Sequence, residues 1–333
     1  MTFTEPVLAA LIVQLLTRHG MSASNARIVA VSIVAAERDG VRSHGLLRLE
    51  GYVDTLRSGW VNGEAVPRVT DVAPSLILTD AANGFAQVAL AASDSLLRQK
   101  VRATGLAALS IHNSHHFAAL WPDIEPFAAS GLVALTMVNA RSRIVVWGAR
   151  QKVLGTNPMA FAIPRRDSPP MIWDQASSRR AQGDVLLALR TGEPVDSAVG
   201  LDADGHPTTD PTAILEGGAL LPFGEHKGSS IALMVEVLAA AFTGGRFGFE
   251  NHSADFPGAQ TSNAGQFLLL ADPARSAGSS FGSRIETLIA RLRAAGSERL
   301  PSDARYVRRE KARQDGIEIS DWAYDRIQQL ISD

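Results

Sequence analysis

The chain has 333 residues, with 32 Lys and Arg against 34 Asp and Glu, a formal net charge of -2. That balance excludes a nucleic-acid binder relying on a strongly basic footprint. The absence of cysteine excludes disulfides, thiolate nucleophiles and thiolate metal sites together. Hydrophobic residues at 46 % and charged residues at 20 % describe a globular chain long enough for about two domains.

Met1–Leu16 contains an apolar run, but Glu5 precedes it and no Lys or Arg stands before Arg18. It lacks the basic start of a secretory signal. No stretch approaches the roughly 20 apolar residues that cross a bilayer. The longest helical candidate, Ser230–Thr243, carries Glu236 in its middle. The expectation is a cytoplasmic protein with no membrane or nucleic-acid partner.

The N-terminal region reads as helices. Ser22 or Ser24 caps a segment running to about Arg38, with Ile28, Val31, Ile33 and Val34 as its apolar positions and Gly40 as its stop. A second helix is expected from Ser43 through Leu56, on the spacing of Leu46, Leu49, Val53 and Leu56. Val69–Thr79 reads as strand broken by Pro74, and Val88–Ala103 as helix. Short apolar runs follow at Leu106–Ile111, Val133–Val138, Ile144–Val146, Met159–Ile163 and Met171–Trp173, with helices expected over Asp123–Ser130 and Asp184–Arg190. Strands alternating with helices imply an α/β layer arrangement. Glu193–Thr212 is a loop by composition, Ser229–Phe242 a helix, Gln266–Leu270 a strand. Ile285, Leu288, Ile289 and Leu292 mark one more helix, and Asp321–Ile331 another.

No G-x-G-x-x-G follows a strand, and the P-loop, G-x-S-x-G and H-E-x-x-H patterns are missing. Three constellations remain that can carry chemistry. In Ser43–Arg48 a helix would put His44 and Arg48 on one face. The imidazole can exchange a proton near neutrality, and the guanidinium can grip a carboxylate; the same residues also suit a plain surface helix. His112, His115 and His116 follow a strand. No carboxylate lies near them at ligand spacing before Asp123, so a polar turn lining a site is expected and no metal is assigned. Gly224–Ser230 opens a helix with Lys227 in its first turn, which suits an anion or a simple capped start. Thr156 lies in a turn before a strand. Asp174 and Asp184 can each orient an imidazole or cap a helix.

Taken in order, S-H-G-x-x-R at Ser43–Arg48, N-S-H-H-F at Asn113–Phe117, G-T-N-P at Gly155–Pro158, the strand ending in Asp174, D-x-D-G-x-P-T-x-D-P at Asp202–Pro211 and H-K-G at His226–Gly228 resemble the signature of the type-2 malate/lactate dehydrogenases. The resemblance runs from about residue 20 to 315. Ile111–Asp123, Ile214–Phe223 and Arg299–Pro301 with Arg305-Tyr306 resemble the Δ1-piperideine-2-carboxylate/Δ1-pyrroline-2-carboxylate reductases within that family. The resemblance implies an α/β fold that binds nicotinamide without a Rossmann turn, a mixed sheet with helices on both faces. Residues 1–110 with 200–333 would form a helical, substrate and dimerisation part, and 111–199 the NADPH-binding domain.

It further implies a homodimer that reduces cyclic imino acids with NADPH, or NADH as the alternative cofactor. His44 would be the proton donor, with Ser43 and Asp184 completing its relay. Arg48 would hold the substrate carboxylate, and Thr156 would add a hydrogen bond. Cofactor contacts would come from His116, Phe117, Ala118, Ala119 and Leu120; from Asp174, Gln175 and Ala176; from Gln182 and Gly183; and from His226 and Lys227. Arg299, Leu300, Pro301, Ser302, Asp303, Ala304 and Arg305 would lie near the phosphates.

Three places depart from the family pattern: Gln175-Ala176-Ser177-Ser178 after Asp174, Glu225 where a glycine usually precedes H-K-G, and Arg141–Trp147 in place of smaller residues and a proline. The same side chains would equally serve a 2-hydroxy-acid dehydrogenase of the malate, lactate or ureidoglycolate type. A non-catalytic ligand-binding relative is the third reading, opposed by the retention of His44, Arg48, Thr156, Asp184 and Lys227.

Overall fold

The computed structural model describes residues 1–333. Its central sheet has seven strands: β1 (Arg68–Ala73), β2 (Leu76–Phe85), β3 (Leu106–His115), β4 (Val133–Val138), β5 (Met159–Ile163), β6 (Met171–Gln175) and β7 (Asn263–Ala271). Their spatial order is β1-β2-β3-β7-β4-β5-β6. Only β2 and β3 pair in parallel. The helices are α1 (Glu5–Arg18), α2 (Ala23–Arg38), α3 (Leu49–Arg57), α4 (Ala86–Thr104), α5 (Trp121–Ala129), α6 (Gln182–Thr191), α7 (Pro211–Leu215), α8 (His226–Glu236), α9 (Ser280–Ala294), α10 (Asp303–Asp315) and α11 (Asp321–Ser332). Helix α4 is the crossover that a parallel pair requires. It closes at Gly105 with φ +82°, where a side chain would be strained.

Side chains alternate across a strand, and β7 shows the result. Leu268 and Leu270 join the core under α4 and α5, with Leu97, Trp121, Ile124 and Phe127. Phe267 meets Phe242 edge-on at 5.6 Å, while Met137 of β4 packs against Val235 and Ala239 on the other face. Helices therefore cover both faces. A second core joins α1, α2, α3 and α11 through Leu8, Ile12, Ile33, Tyr52 and Ile327. There Thr2–Phe3 pairs antiparallel with Ile317–Glu318. A smaller five-stranded sheet runs in the order Pro207–Thr208, Gly200–Leu201, Ala219–Leu220, Ile144–Val145, Lys152–Leu154. Val185 of α6 and Ile214 of α7 fill its core.

Register places one rim of the large sheet. Phe85 pairs with His115, His115 with Asn263, Met137 with Met159, and Met159 with Gln175. The segments leaving β3, β4 and β6, and those entering β5 and β7, all emerge along that rim. Strand ends are where α/β sheets gather ligand-binding loops.

Several expected elements are redrawn. Val69–Thr79 is a hairpin turning at Pro74-Ser75, because proline has no N–H for the ladder. The Glu193–Thr212 loop contains two of the short strands. The helix expected from Ser229 starts at His226 and widens into a π turn over Val237–Ala241. The large sheet takes β1 and β2 from before residue 110 and β7 from beyond 200. Its hydrogen bonding thus crosses both of the limits drawn at 110 and 199, because β7 inserts between β3 and β4.

Candidate active site

The segment expected as one helix from Ser43 to Leu56 is two 3-10 turns, Arg42–His44 and Leu46–Arg48, followed by α3. The break is Gly45, at φ -95° and ψ -133°. The Glu37 carboxylate fills the gap and accepts the Leu46 N–H at 3.0 Å. A Cβ on Gly45 would lie 2.2 Å from that oxygen. Burial pushes the Glu37 carboxyl up, partly offset by the Leu46 N–H and by Arg42.

The two 3-10 turns, in place of one α-helix, bring His44 and Arg48 near each other. The Ser43 hydroxyl lies 3.1 Å from His44 Nδ1, leaving Nε2 as the free ring nitrogen. Arg48 Nε donates to the Ser43 carbonyl at 2.7 Å, and its guanidinium lies over the Phe117 ring at 4.6 Å. Arg48 has no carboxylate partner among the ion pairs of the protein. Burial, then Arg48 and His116, push the His44 imidazole down to about 3, so it is neutral at pH 7. Asp184 stands at the start of α6, beside this turn. That side chain is half exposed, 3.9 Å from Arg180, and no hydrogen bond joins it to His44. The start of α6 nevertheless abuts the turn: a Cβ on Gly183 would lie 3.3 Å from Ser43 Cβ.

The three histidines after β3 diverge. His115 is fully buried between Thr261 Oγ1 at 2.8 Å and Asn83 Oδ1 at 3.0 Å, and burial holds it at about 3. His116 Nε2 lies 2.8 Å from Asp123 Oδ2 and 3.1 Å from Gln87 Nε2, while His112 is half exposed. Phe117 faces Arg48, and Tyr52 packs against its edge at 5.2 Å with a buried, unpartnered hydroxyl. Ala118, Ala119 and Leu120 are core residues. Asp174 caps α5, accepting the Leu120 and Trp121 N–H groups at 2.7 and 3.1 Å. That is the capping reading of this carboxylate, on a different helix from the one that follows it. Burial raises its pKa, opposed by the two N–H groups, Arg305 and His116. Gln175 is exposed and Ala176 half-buried.

The Gly155–Pro158 turn is clamped to the segment after β4. Ala140 N–H donates to Asn157 Oδ1 at 3.1 Å, and a Cβ on Gly155 would meet the Ala140 carbonyl at 2.2 Å. Glu236 ties these pieces to α8. It accepts from Asn157 Nδ2 at 2.7 Å, Asn139 Nδ2 at 3.2 Å and Gly248 N–H at 2.6 Å. Thr156 is half-buried, and its carbonyl accepts from Ser177 N–H at 2.8 Å.

His226 and Lys227 are exposed at the start of α8. With Trp147, Arg179, Leu221 and Pro222 they line a groove of about 500 Å³. Glu225 lies at its edge with φ 61° and ψ -119°, a conformation suited to glycine, and makes no ion pair with Lys227. The Arg299–Arg305 stretch mixes buried and exposed residues. Leu300 is core, and Ser302 exchanges two hydrogen bonds with Ile172, at 2.6 and 2.8 Å. Asp303 pairs with Arg293 at 2.5 Å, Arg299 and Pro301 are exposed, and Ala304 is half-buried. Arg305 stacks on Trp121 at 4.4 Å with Nη1 buried and unpartnered. Gln182 and Gly183 open α6.

The malate/L-lactate dehydrogenase family profile matches residues 3–328. The chain belongs to that family. It is 49 % identical to the Δ1-pyrroline-2-carboxylate/Δ1-piperideine-2-carboxylate reductase of Pseudomonas putida, over 99 % of this chain and 96 % of that protein. Identity to the reductase of the same name from Pseudomonas syringae pv. tomato is 50 %, with the same coverage. The crystal structure of Δ1-piperideine-2-carboxylate reductase from Pseudomonas syringae superposes with a TM-score of 0.97, at 49 % identity and 99 % coverage of both chains. Membership implies a nicotinamide cofactor, and the residues present fit one. Arg179 and Lys227 face an open groove with no carboxylate partner, and Arg305 keeps a buried N–H unused. Such donors suit phosphate oxygens.

Sequence reasoning missed the groups that hold the site. Asp123 was read as a helix start, yet it fixes His116 together with Gln266, which donates to the same oxygen at 2.9 Å. Glu236, visible as a lone acid in an apolar helix, is the signal that could have located the Asn139–Asn157 clamp. Tyr52 and Glu37 carried no motif.

Proposed function

We infer that this protein reduces the C=N bond of small cyclic imino acids, Δ1-piperideine-2-carboxylate to L-pipecolate and Δ1-pyrroline-2-carboxylate to L-proline. The observation that carries the reading is near-half identity, along almost the whole chain, to reductases of that name. NADPH is the proposed cofactor; when bound, the reduced nicotinamide supplies the hydride.

The chain's own residues supply charge and a proton. Arg48 is held by the Ser43 carbonyl and the Phe117 face, which leaves its Nη edge for the substrate carboxylate. Burial is the main cause of the low His44 pKa and the Arg48 charge the second; a carboxylate on Arg48 would offset that second cause and favour uptake of a proton by the imidazole as substrate binds. Nε2 then delivers it to the ring nitrogen as the neighbouring carbon is reduced. Ser43 fixes the ring through Nδ1. The Thr156 hydroxyl is proposed as a second hydrogen bond to substrate. Lys227, His226, Arg179 and Arg305 are proposed to bind cofactor phosphates, with residues 111–199 contributing most of the remaining cofactor contacts. A homodimer is proposed on exposed apolar side chains, among them Leu233, Val237 and Phe242 along one side of α8 and its continuation.

The test follows reduced-nicotinamide absorbance with each imine, pyruvate and oxaloacetate in turn, using NADPH and then NADH. The imines should be consumed fastest; faster turnover of a 2-oxo acid would overturn the assignment. His44→Ala should lower kcat by about two orders of magnitude, and a near-normal rate would remove His44 from the donor role.

A further inference from the structure

Arg141 follows β4 on the site rim. Its N–H donates to Ser262 Oγ at 3.1 Å, and the residue before it is clamped to the Thr156 turn through Asn157. The backbone is thus fixed from both sides. The guanidinium is half-buried, makes no hydrogen bond and has no carboxylate within ion-pair reach. It is close enough to Arg48 to disfavour that residue's charge. Arg143 behind it is also without an acid partner, with a buried and unpaired Nε, and burial and Arg141 lower its pKa to about 10.

The buried acids of the site are already engaged: Asp123 by His116 and Gln266, Asp174 by backbone N–H groups, Glu236 by Asn139, Asn157 and Gly248. Uncompensated cations withdrawn from water are costly, and a bound anion relieves that cost. We propose that Arg141 is a second carboxylate-binding group of the substrate pocket, acting from the sheet rim while Arg48 acts from the helical layer. The proposal rests on the reading of Arg48 given above. It makes Arg141 a residue that sets substrate specificity in this chain.

Two sources could supply the carboxylate: the acid group that Arg48 also holds, or a second acid group on a larger substrate. The experiment titrates pyrrole-2-carboxylate and pyrrole-2,5-dicarboxylate, planar acids that offer no C=N bond to reduce, into the full-length protein with NADPH present. Wild type, Arg141→Met and Arg141→Lys are compared by calorimetry. Arg141→Met should weaken at least one acid about tenfold to a hundredfold, leave NADPH affinity near wild type without lowering the melting temperature, and be partly rescued by Lys. Equal loss for both acids assigns Arg141 to the shared carboxylate; greater loss for the dicarboxylate assigns it to the second one. Unchanged affinity for both, or an equal loss of NADPH binding, overturns the proposal. Reductase turnover by wild type is measured alongside. If it is absent while Arg141→Met still loses the acids, the functional reading fails and this inference stands.

Discussion

Replacing Glu236 by Gln tests whether one buried carboxylate organises the rim. The side chain is 3 % exposed and accepts three N–H groups, from Asn157, Asn139 and Gly248. Gln keeps the size but turns one oxygen into an NH2 that must face a donor. At least one hydrogen bond to a charged acceptor is lost, and one buried donor is left unpaired. Together these cost about 2–4 kcal/mol. The loss falls on the clamp that carries Thr156 and Arg141, so substrate KM should rise more than NADPH Kd. Chemical denaturation measures the first quantity, and steady-state kinetics with the imines the second. Stability within about 0.5 kcal/mol of wild type, with KM unchanged, would refute the reasoning.

Glu225→Gly relieves a side chain held at φ 61° and should stabilise the protein by about 1 kcal/mol; it also removes a negative charge beside Lys227, so NADPH should bind tighter. A lower melting temperature, or weaker NADPH binding, would contradict this. Arg48→Lys keeps the charge but loses the planar fork lying on Phe117, so KM for the imines should rise while NADPH affinity holds; unchanged substrate saturation would count against the carboxylate assignment. His115, held at about 3 by burial, stays neutral while the unfolded chain protonates near 6.5. It therefore lowers stability as pH falls from about 6.5 toward 3, by about 1.4 kcal/mol per pH unit within that window. An NMR midpoint near 6.5 for His115 in the folded protein would contradict that burial.

The regular elements were legible because their signals are local. Ser22 caps α2, and the short apolar runs Val133–Val138 and Met159–Ile163 became β4 and β5. The turn at Ser43–Arg48 was not, because it depends on Glu37 reaching into a gap that only Gly45 leaves open. The pairing of His44 with Arg48 survived that error, since two tight turns bring them together as a helix would. Asp184, in the first turn of α6, lies 3.9 Å from Arg180, and its part in a relay with His44 stays a proposal. Asp123 with His116, and Glu236 with Asn157, join distant segments, and neither spacing nor composition encodes such a meeting. The resemblance puts Arg299–Arg305 near the cofactor phosphates; what the sequence did not signal is that Ser302 in it also ties the start of α10 to β6 through Ile172.

The helical layer that carries the His44 turn seals Leu8, Ile12 and Ile33 against Ile317, Ile327 and Leu330. Those partners leave the ribosome some 300 residues apart. At about 5–20 residues per second, the earlier half waits tens of seconds for the later one. During that interval α1 and α2 present an oily side to water or to a chaperone, and the His44 turn has nothing firm beneath it. Catalytic competence therefore arrives late in synthesis, when α11 docks.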